Sequence, residues 1–169
     1  MITHKIQDNS NEYVMDLLAD GLLESDDVNY NPFYENLSQN LFKKIRSGLF
    51  KNSSYIVLED DNGYVGSSGW YEYDENTALI LVRSYIKKEY RQRWLLTEKC
   101  LPIILDDAKD YKNIWITINY SNSYLQKAFE RTNAGKLAWP GMPRLLKKFK
   151  PIGTKYINGL EQYIIEYEK

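Results

Sequence analysis

Residues 90–96 have the composition of a turn that binds an anion. They separate a long apolar run from a run with helical periodicity, and the members that could contact a ligand are Arg91, Gln92, Arg93, Trp94, Leu95 and Leu96. A helix N-terminus presents unpaired N–H groups and the positive end of the helix dipole, and arginine side chains suit phosphate oxygens. This segment therefore predicts phosphate binding. It equally fits the buried first turn of a core helix with solvated arginines, so both interpretations stay open.

Length and charge limit the class of protein. The chain of 169 residues has 22 basic and 23 acidic side chains, so its summed field attracts neither nucleic acid nor an anionic membrane. We expect one buried core and a single domain over residues 1–169. No apolar run approaches the roughly 18 residues of a membrane span, and the first residues lack the apolar core of a signal peptide. The expected protein is cytoplasmic, with no membrane partner.

The supply of metal ligands and nucleophiles is small. Cys100 is the single cysteine and His4 the single histidine, which excludes an internal disulfide and a structural zinc cluster. A histidine-dependent triad is also disfavoured, because His4 lies near the terminus. Cys100 lies on an apolar stripe and is predicted to be buried packing, and the acidic residues 59–61 are predicted to form a solvated hairpin turn. We expect no metal site.

The first half of the chain predicts two helices and an antiparallel hairpin. Weak alternation over residues 2–7 indicates an edge strand, and apolar residues at helical spacing indicate helices over 13–23 and 37–49. The first helix is expected to end at Gly21 or at the polar residues 25–27. Strands over 54–58 and 64–73 flank a strong turn signal, with a bulge marked by Gly66 and Gly69.

The second half predicts a strand, a crossover helix and a parallel strand. An apolar run over 78–86 is typical of a central strand, residues 92–110 have helical periodicity, and residues 113–118 indicate another buried strand. Pro102 lies inside the crossover helix and is expected to kink or divide it. A further helix over 123–131 and a last strand over 161–168 follow, with a less regular segment between them.

This order of elements resembles that of the GCN5-related N-acetyltransferases, and the sequence match covers residues 78–131. The resemblance implies an α/β, acyl-CoA N-acyltransferase-like fold. Its sheet would be mixed, with about six or seven strands, antiparallel except for the fourth and fifth strands. If a cofactor site is present, these two strands should diverge into an open V. Hydrogen bonding of the pair to its full length would instead indicate an inactive relative.

The family's phosphate turn has the form Gln/Arg-x-x-Gly-x-Gly/Ala and binds the pyrophosphate of acetyl-CoA. Arg91 matches its first position, but Trp94 and Leu96 occupy the two glycine positions. Glycine lets the backbone approach a phosphate without a side chain in the way and allows a positive φ. By resemblance, residues 91–96 would bind the pyrophosphate, and the backbone of Ser84, Tyr85 and Ile86 would bind the pantetheine arm.

The family's second element follows the fifth strand. Asn122 matches an asparagine that contacts pantetheine, although it also fits a plain helix cap. The family tyrosine that returns a proton to the thiolate is replaced by Phe129, which cannot donate one and also fits core packing. Tyr124 or Tyr120 is a candidate donor in its place. Glu72, on the third strand, is the candidate general base, and an exposed structural role is its alternative.

The resemblance implies an N-acetyltransferase that moves an acyl group from acetyl-CoA to a primary amine of a small molecule or peptide. Two other functions fit the same residues. The chain could be a catalytically inactive member of the fold that binds a ligand, peptide or protein, or an interaction protein that docks through residues 29–34 and the region of Trp139. The acyl acceptor and the possibility of a homodimer are left open by the sequence.

Overall fold

The structure is a computed structural model, and the residues it describes are 1–6, 12–28, 52–119, 132–133, 136–137, 144–157 and 159–169. The helices predicted over 37–49 and 123–131 lie outside this part of the chain. So do the loop 29–34 and the region of Trp139.

The predicted elements that fall on the described residues occur in the predicted order. The strands are β1 (Ile2–Ile6), β2 (Ser53–Asp60), β3 (Gly63–Asp74), β4 (Thr77–Ile86), β5 (Asn113–Asn119), β6 (Thr132–Asn133), β7 (Lys136–Leu137), β8 (Phe149–Ile157) and β9 (Leu160–Tyr167). Three of these strands, β6, β7 and β8, were not predicted. The α-helices are α1 (Glu12–Val28) and α2 (Leu101–Asp107). Shorter helical segments are 3₁₀ helices at Lys88–Arg93 and Arg144–Lys148 and a π-helix at Leu96–Cys100.

Seven strands form one mixed sheet in the order β1-β2-β3-β4-β5-β9-β8, and β6 pairs with β7 in a separate two-stranded sheet. Strands β4 and β5 are parallel, and the other neighbours in the large sheet are antiparallel. The expected α/β, acyl-CoA N-acyltransferase-like sheet is therefore confirmed. The parallel pair requires a crossover connection, and α2 supplies part of it.

Both faces of the sheet are covered by apolar side chains. On one face, Ile80, Ile104 and Phe149 are fully buried in the larger core, which α2 joins to the sheet. On the other face, α1 packs Leu18 against Tyr55. Burial on two faces explains why the central strands appear in the sequence as nearly continuous apolar runs instead of alternating ones.

Helix α1 continues through Gly21, where the sequence had indicated one possible end. The ring of Tyr64 lies so close that a Cβ at Gly21 would stand 2.0 Å from its Cζ atom. Glycine at this position therefore permits a close approach between helix and sheet, and it does not act as a helix terminator.

The crossover helix is divided at Pro102, as predicted. Before it, the Leu101 N–H donates to the carbonyl of Leu96, which is the spacing of a π-helix, and Pro102 then lies in the first turn of α2. Proline fits there because its missing N–H would have no helical partner. The α-helix ends at Asp107, so the predicted range 92–110 was too long at both ends.

Strand β8 was missed by the sequence prediction, which treated this region as irregular. It is an edge strand with five consecutive exposed residues, and it contains Pro151 and Gly153. Proline is tolerated on an edge strand because its ring nitrogen is not needed for a second ladder of hydrogen bonds. An exposed edge therefore leaves only a weak apolar pattern in the sequence.

Candidate functional site

The two parallel strands separate partway along their length. Strand β4 pairs with β5 only from Thr77 to Ile80, which face Asn113 to Ile116, although β4 continues to Ile86. Beyond this point β5 stays paired with β9, and β4 stays paired with β3. In the described part of the chain, no strand pairs with the free edge of β4 beyond Ile80. We call residues 81–86 the free half of β4, and the predicted V is confirmed.

Two bulges on β4 begin where the parallel pairing ends. Trp70 faces Ile80 and Gly69 faces Val82, so Leu81 is an extra residue relative to β3. The next register shift places two further residues of β4 opposite one residue of β3. Leu81 and Arg83 have φ of 54° and 47°. Bulges bend a strand and end its pairing, which accounts for the divergence of β4 from β5.

Two glycines on β3 allow the strands on either side to pack closely, Gly66 against β4 and Gly69 against β2. Gly66 faces Ile86, and a Cβ on it would lie 2.7 Å from the carbonyl oxygen of Tyr85. A Cβ on Gly69 would lie 2.7 Å from the ring of Tyr55. The bulge predicted at these two glycines is confirmed, and close packing by neighbouring strands explains why glycine is required.

Ser84, Tyr85 and Ile86, the predicted pantetheine contacts, all lie on the free half of β4. The Ser84 side chain is exposed, whereas Tyr85 is buried on the α1 face and donates a hydrogen bond to Glu24 Oε1 at 3.0 Å. Burial, and secondarily this bond, raises the pKa of Tyr85. The carbonyl of Ile86 accepts a bond of 3.0 Å from Arg91 Nε.

The candidate phosphate turn, residues 91–96, begins in the 3₁₀ helix Lys88–Arg93, which is attached to the β2–β3 hairpin. The Lys87 N–H donates to the carbonyl of Val65 at 2.9 Å, and the Tyr90 hydroxyl donates to Asp60. The hydrogen bond from Tyr90, and secondarily one from the backbone N–H of Asn62, lowers the pKa of Asp60. These contacts fix the turn from outside, where the family motif uses glycines within it.

Arg91 is exposed and lies beside the end of the free half, with its guanidinium 5.8 Å from the centre of the Tyr85 ring. Gln92 and Arg93 belong to the 3₁₀ helix, and only their backbone is described. The turn thus places one arginine of the motif next to the predicted pantetheine strand.

Trp94 ends the 3₁₀ helix Lys88–Arg93 in a left-handed conformation, with φ 51° and ψ 24°. This is the conformation that glycine adopts most easily, and Trp94 stands at the first glycine position of the motif. Its side chain is half-buried and packs against the larger core, as does that of Leu96, and Leu95 between them is buried. The side chains of residues 94–96 therefore form part of the core.

Glu72 lies away from the free half of β4. It faces Ala78 on the paired half, accepts a bond of 2.8 Å from Asn52 Nδ2, and accepts another from the Tyr111 hydroxyl. These bonds give the exposed carboxylate a structural role at the closed end of the V. Asn122, Tyr124 and Phe129 lie outside the described residues, as does Tyr120.

Other reactive groups contribute little to this region. Cys100 is buried, and burial raises the pKa of its thiol to about 12. Within the described ranges, no cluster of three or more His, Cys, Asp or Glu residues could hold a metal ion. The same ranges contain no helix that is long and apolar enough to cross a membrane.

Several features of the site had no reliable signal in the sequence. The left-handed residues Leu81 and Arg83 belong to types that are typical of regular strands and helices, and the partners Tyr90 and Asp60 are far apart in the chain. Only the glycines of β3 indicated a distortion beforehand.

No protein-family model and no curated protein sequence matches the chain. Solved structures do match over nearly its whole length. An acetyltransferase from Streptococcus agalactiae has a TM-score of 0.65 at 13% identity, with 98% of each chain covered. A GNAT-family acetyltransferase from Staphylococcus aureus has a TM-score of 0.61 at 13% identity, and the match covers 99% of this chain and 100% of the other. The PaiA N-acetyltransferase from Thermoplasma acidophilum, in complex with coenzyme A, has a TM-score of 0.57 at 15% identity, and the match covers 100% of both chains.

At these identities the comparisons bear on architecture alone, and they agree with the mixed sheet. The chain therefore has the fold of the GCN5-related N-acetyltransferases, and its sequence is 13–15% identical to those of the three solved structures.

Proposed function

We propose that the protein is an N-acyltransferase that transfers an acyl group from acetyl-CoA to a primary amine of a small molecule or peptide. The observation that carries this proposal is the separation of β4 from β5 after Ile80, which leaves the backbone of residues 81–86 without a strand partner on one edge among the described residues. Buried backbone N–H and C=O groups require hydrogen-bond partners, and a strand edge that no other strand pairs with can bind a ligand that has amide groups along an extended arm.

In the proposed site, the backbone of Ser84, Tyr85 and Ile86 holds the pantetheine arm, and the turn of residues 91–96 holds the pyrophosphate. Arg91 supplies a positive charge at the turn, and it is the arginine of the turn whose side chain the structure describes. Its Nε atom is occupied by the Ile86 carbonyl, and the guanidinium has further N–H groups that suit phosphate oxygens. The left-handed Trp94 gives the turn a backbone path that the family reaches with glycine.

The proposed chemistry is direct attack by a neutral amine on a thioester that acetyl-CoA supplies. Backbone N–H groups in the bulges of β4 would polarise the carbonyl, because hydrogen-bond donors fixed in advance stabilise negative charge as it develops. Glu72 is not assigned as the base, since it is bonded at the closed end of the V. Coenzyme A leaves as a thiolate, and its proposed proton donor remains Tyr124 or Tyr120, because Phe129 at the family position has no hydroxyl.

One observation favours a second candidate function, a catalytically inactive member of the fold that binds a ligand or protein. Trp94 and Leu96 place side chains where the motif has glycines, and both pack against the core. In that case the turn would have exchanged phosphate contact for stability.

Titration with acetyl-CoA separates the two functions. A ligand at 100 times its dissociation constant stabilises the fold by about 2.7 kcal/mol, which is about 5–10 °C in Tm for a chain of this size. We expect such a shift at millimolar acetyl-CoA, together with heat in calorimetry. The absence of both heat and a Tm shift would refute the enzyme proposal.

Substitution of the turn arginine tests the phosphate assignment. Arg91→Ala should weaken acetyl-CoA binding about tenfold, the usual effect of losing a hydrogen bond to a charged group. Lys112→Ala is the matched control, because Lys112 is an exposed cation beside the paired end of β4 and β5. Equal affinity of both variants for acetyl-CoA would contradict the assignment.

A further inference from the structure

A chain of two serine hydroxyls crosses from β3 to the bulges of β4. Ser68 Oγ lies 2.6 Å from Ser84 Oγ, and Ser84 Oγ donates to the carbonyl of Leu81 at 2.7 Å. Ser68 is completely buried, whereas Ser84 is exposed on the free half of β4. These two hydrogen bonds therefore connect the interior of the sheet to the surface of the candidate site.

The direction of these bonds follows from the number of protons. A serine hydroxyl has one proton to donate, and that of Ser84 goes to the Leu81 carbonyl. Ser68 must then be the donor to Ser84. Bonds arranged in series polarise one another, so donation from buried Ser68 strengthens the bond that Ser84 makes to the bulge.

The bonded segment is also the strained one. Leu81 and Arg83 hold left-handed conformations that L-residues adopt rarely, and the bond from Ser84 closes over both of them. A local side-chain bond to the backbone competes with regular strand pairing at this point. It offers this segment an alternative to straightening and pairing further with its neighbours.

We propose that Ser84, supported by Ser68, is a positioning residue that holds the bulged backbone in the conformation that receives the thioester carbonyl. This inference rests on the proposed function. Ser84 acts through the Leu81 carbonyl and the amides that follow it. We call the two serine hydrogen bonds the brace. Coenzyme A has the same pantetheine arm but no thioester carbonyl, so loss of the brace weakens binding of acetyl-CoA more than binding of coenzyme A.

Amide hydrogen exchange of the full chain without ligand tests the brace itself. In Ser84→Ala, the amides of residues 82–84 should exchange about fivefold faster, the usual effect of one lost hydrogen bond. Ser84→Thr keeps the hydroxyl and should exchange as the wild type does. Ser54→Ala is the matched control, because Ser54 Oγ donates to the carbonyl of Ile6 at 3.2 Å, away from the bulges. Unchanged exchange in Ser84→Ala would overturn the brace.

Calorimetry with acetyl-CoA and with coenzyme A tests what the brace is for. We expect Ser84→Ala to raise the Kd of acetyl-CoA about fivefold relative to that of coenzyme A, with recovery of this ratio in Ser84→Thr. An equal loss for both ligands would overturn the role at the thioester. If the wild type binds neither ligand, the proposed function fails with that role, and the exchange measurement alone decides whether Ser84 braces the bulge.

Discussion

The left-handed conformation of Trp94 predicts an unusual order of stability among its variants. Trp94→Gly and Trp94→Ala remove the same indole, so the loss of packing cancels when the two are compared. Alanine keeps a cost of about 1–2 kcal/mol for the left-handed conformation. Glycine avoids that cost but gives the unfolded chain extra freedom, which destabilises the fold by about 0.4–1 kcal/mol. With φ at 51°, Trp94→Gly should be more stable than Trp94→Ala by about 1 kcal/mol.

The next residue provides the matched control. Leu95 is right-handed, with φ −56° and ψ −40°, so Leu95→Gly should be less stable than Leu95→Ala by about 1 kcal/mol. Denaturant unfolding and thermal melts measure both differences, and each corresponds to about 2–4 °C in a chain of this size. The order of glycine and alanine should therefore invert between adjacent positions. Equal stability of the two Trp94 variants, or the same order at both positions, would refute the assigned conformation.

Three further predictions follow from buried and close-packed groups. Hydrogen bonds from Tyr13, and secondarily from His4, lower the pKa of Glu59 below its ordinary value of 4.5. The stabilisation of the folded protein by ionised Glu59 is therefore complete above pH 4.5 and is lost as the pH falls through the lowered pKa. The Tm advantage of the wild type over Glu59→Gln should therefore shrink between about pH 5 and pH 3, and a constant difference would contradict this. Gly66→Ala should destabilise the fold by about 1–3 kcal/mol in urea unfolding, because the new methyl group meets the backbone of β4; an unchanged midpoint would argue against that contact. The thiol of Cys100, with its pKa raised to about 12, should react slowly with a disulfide reagent at pH 8 until urea unfolds the chain, and rapid labelling of folded protein would count against its burial.

The strands that build the site could be predicted because they are buried on both faces. Apolar runs mark β4 and β5 in the sequence, and a turn signal joins β2 to β3. An edge strand has no such requirement, which is why β8 was missed. Prediction therefore succeeded where burial dictates residue type or where, as in the edge strand β1, some alternation is visible, and it failed for the exposed strand β8.

The geometry of the site was harder to predict than its location. The divergence of β4 depends on left-handed conformations at Leu81 and Arg83, and neither side chain favours that conformation locally. The turn depends on a contact between Tyr90 and Asp60, which are 30 residues apart. Such features arise from tertiary packing, and a local pattern does not encode them.

The distribution of strain bears on the choice between a segment kept for stability alone and a segment that receives a ligand. Among the described residues other than glycine, positive φ occurs at Asn52, Leu81, Arg83 and Trp94. Three of these lie on the short path from the bulges of β4 to the end of the candidate phosphate turn. Each such conformation costs about 1–3 kcal/mol and persists only where the surrounding structure enforces it. A fold that had kept this region for stability alone could lower its free energy by relaxing these residues. Their concentration along the proposed binding path therefore favours a segment shaped to receive a ligand, even though Trp94 and Leu96 stand in place of the glycines.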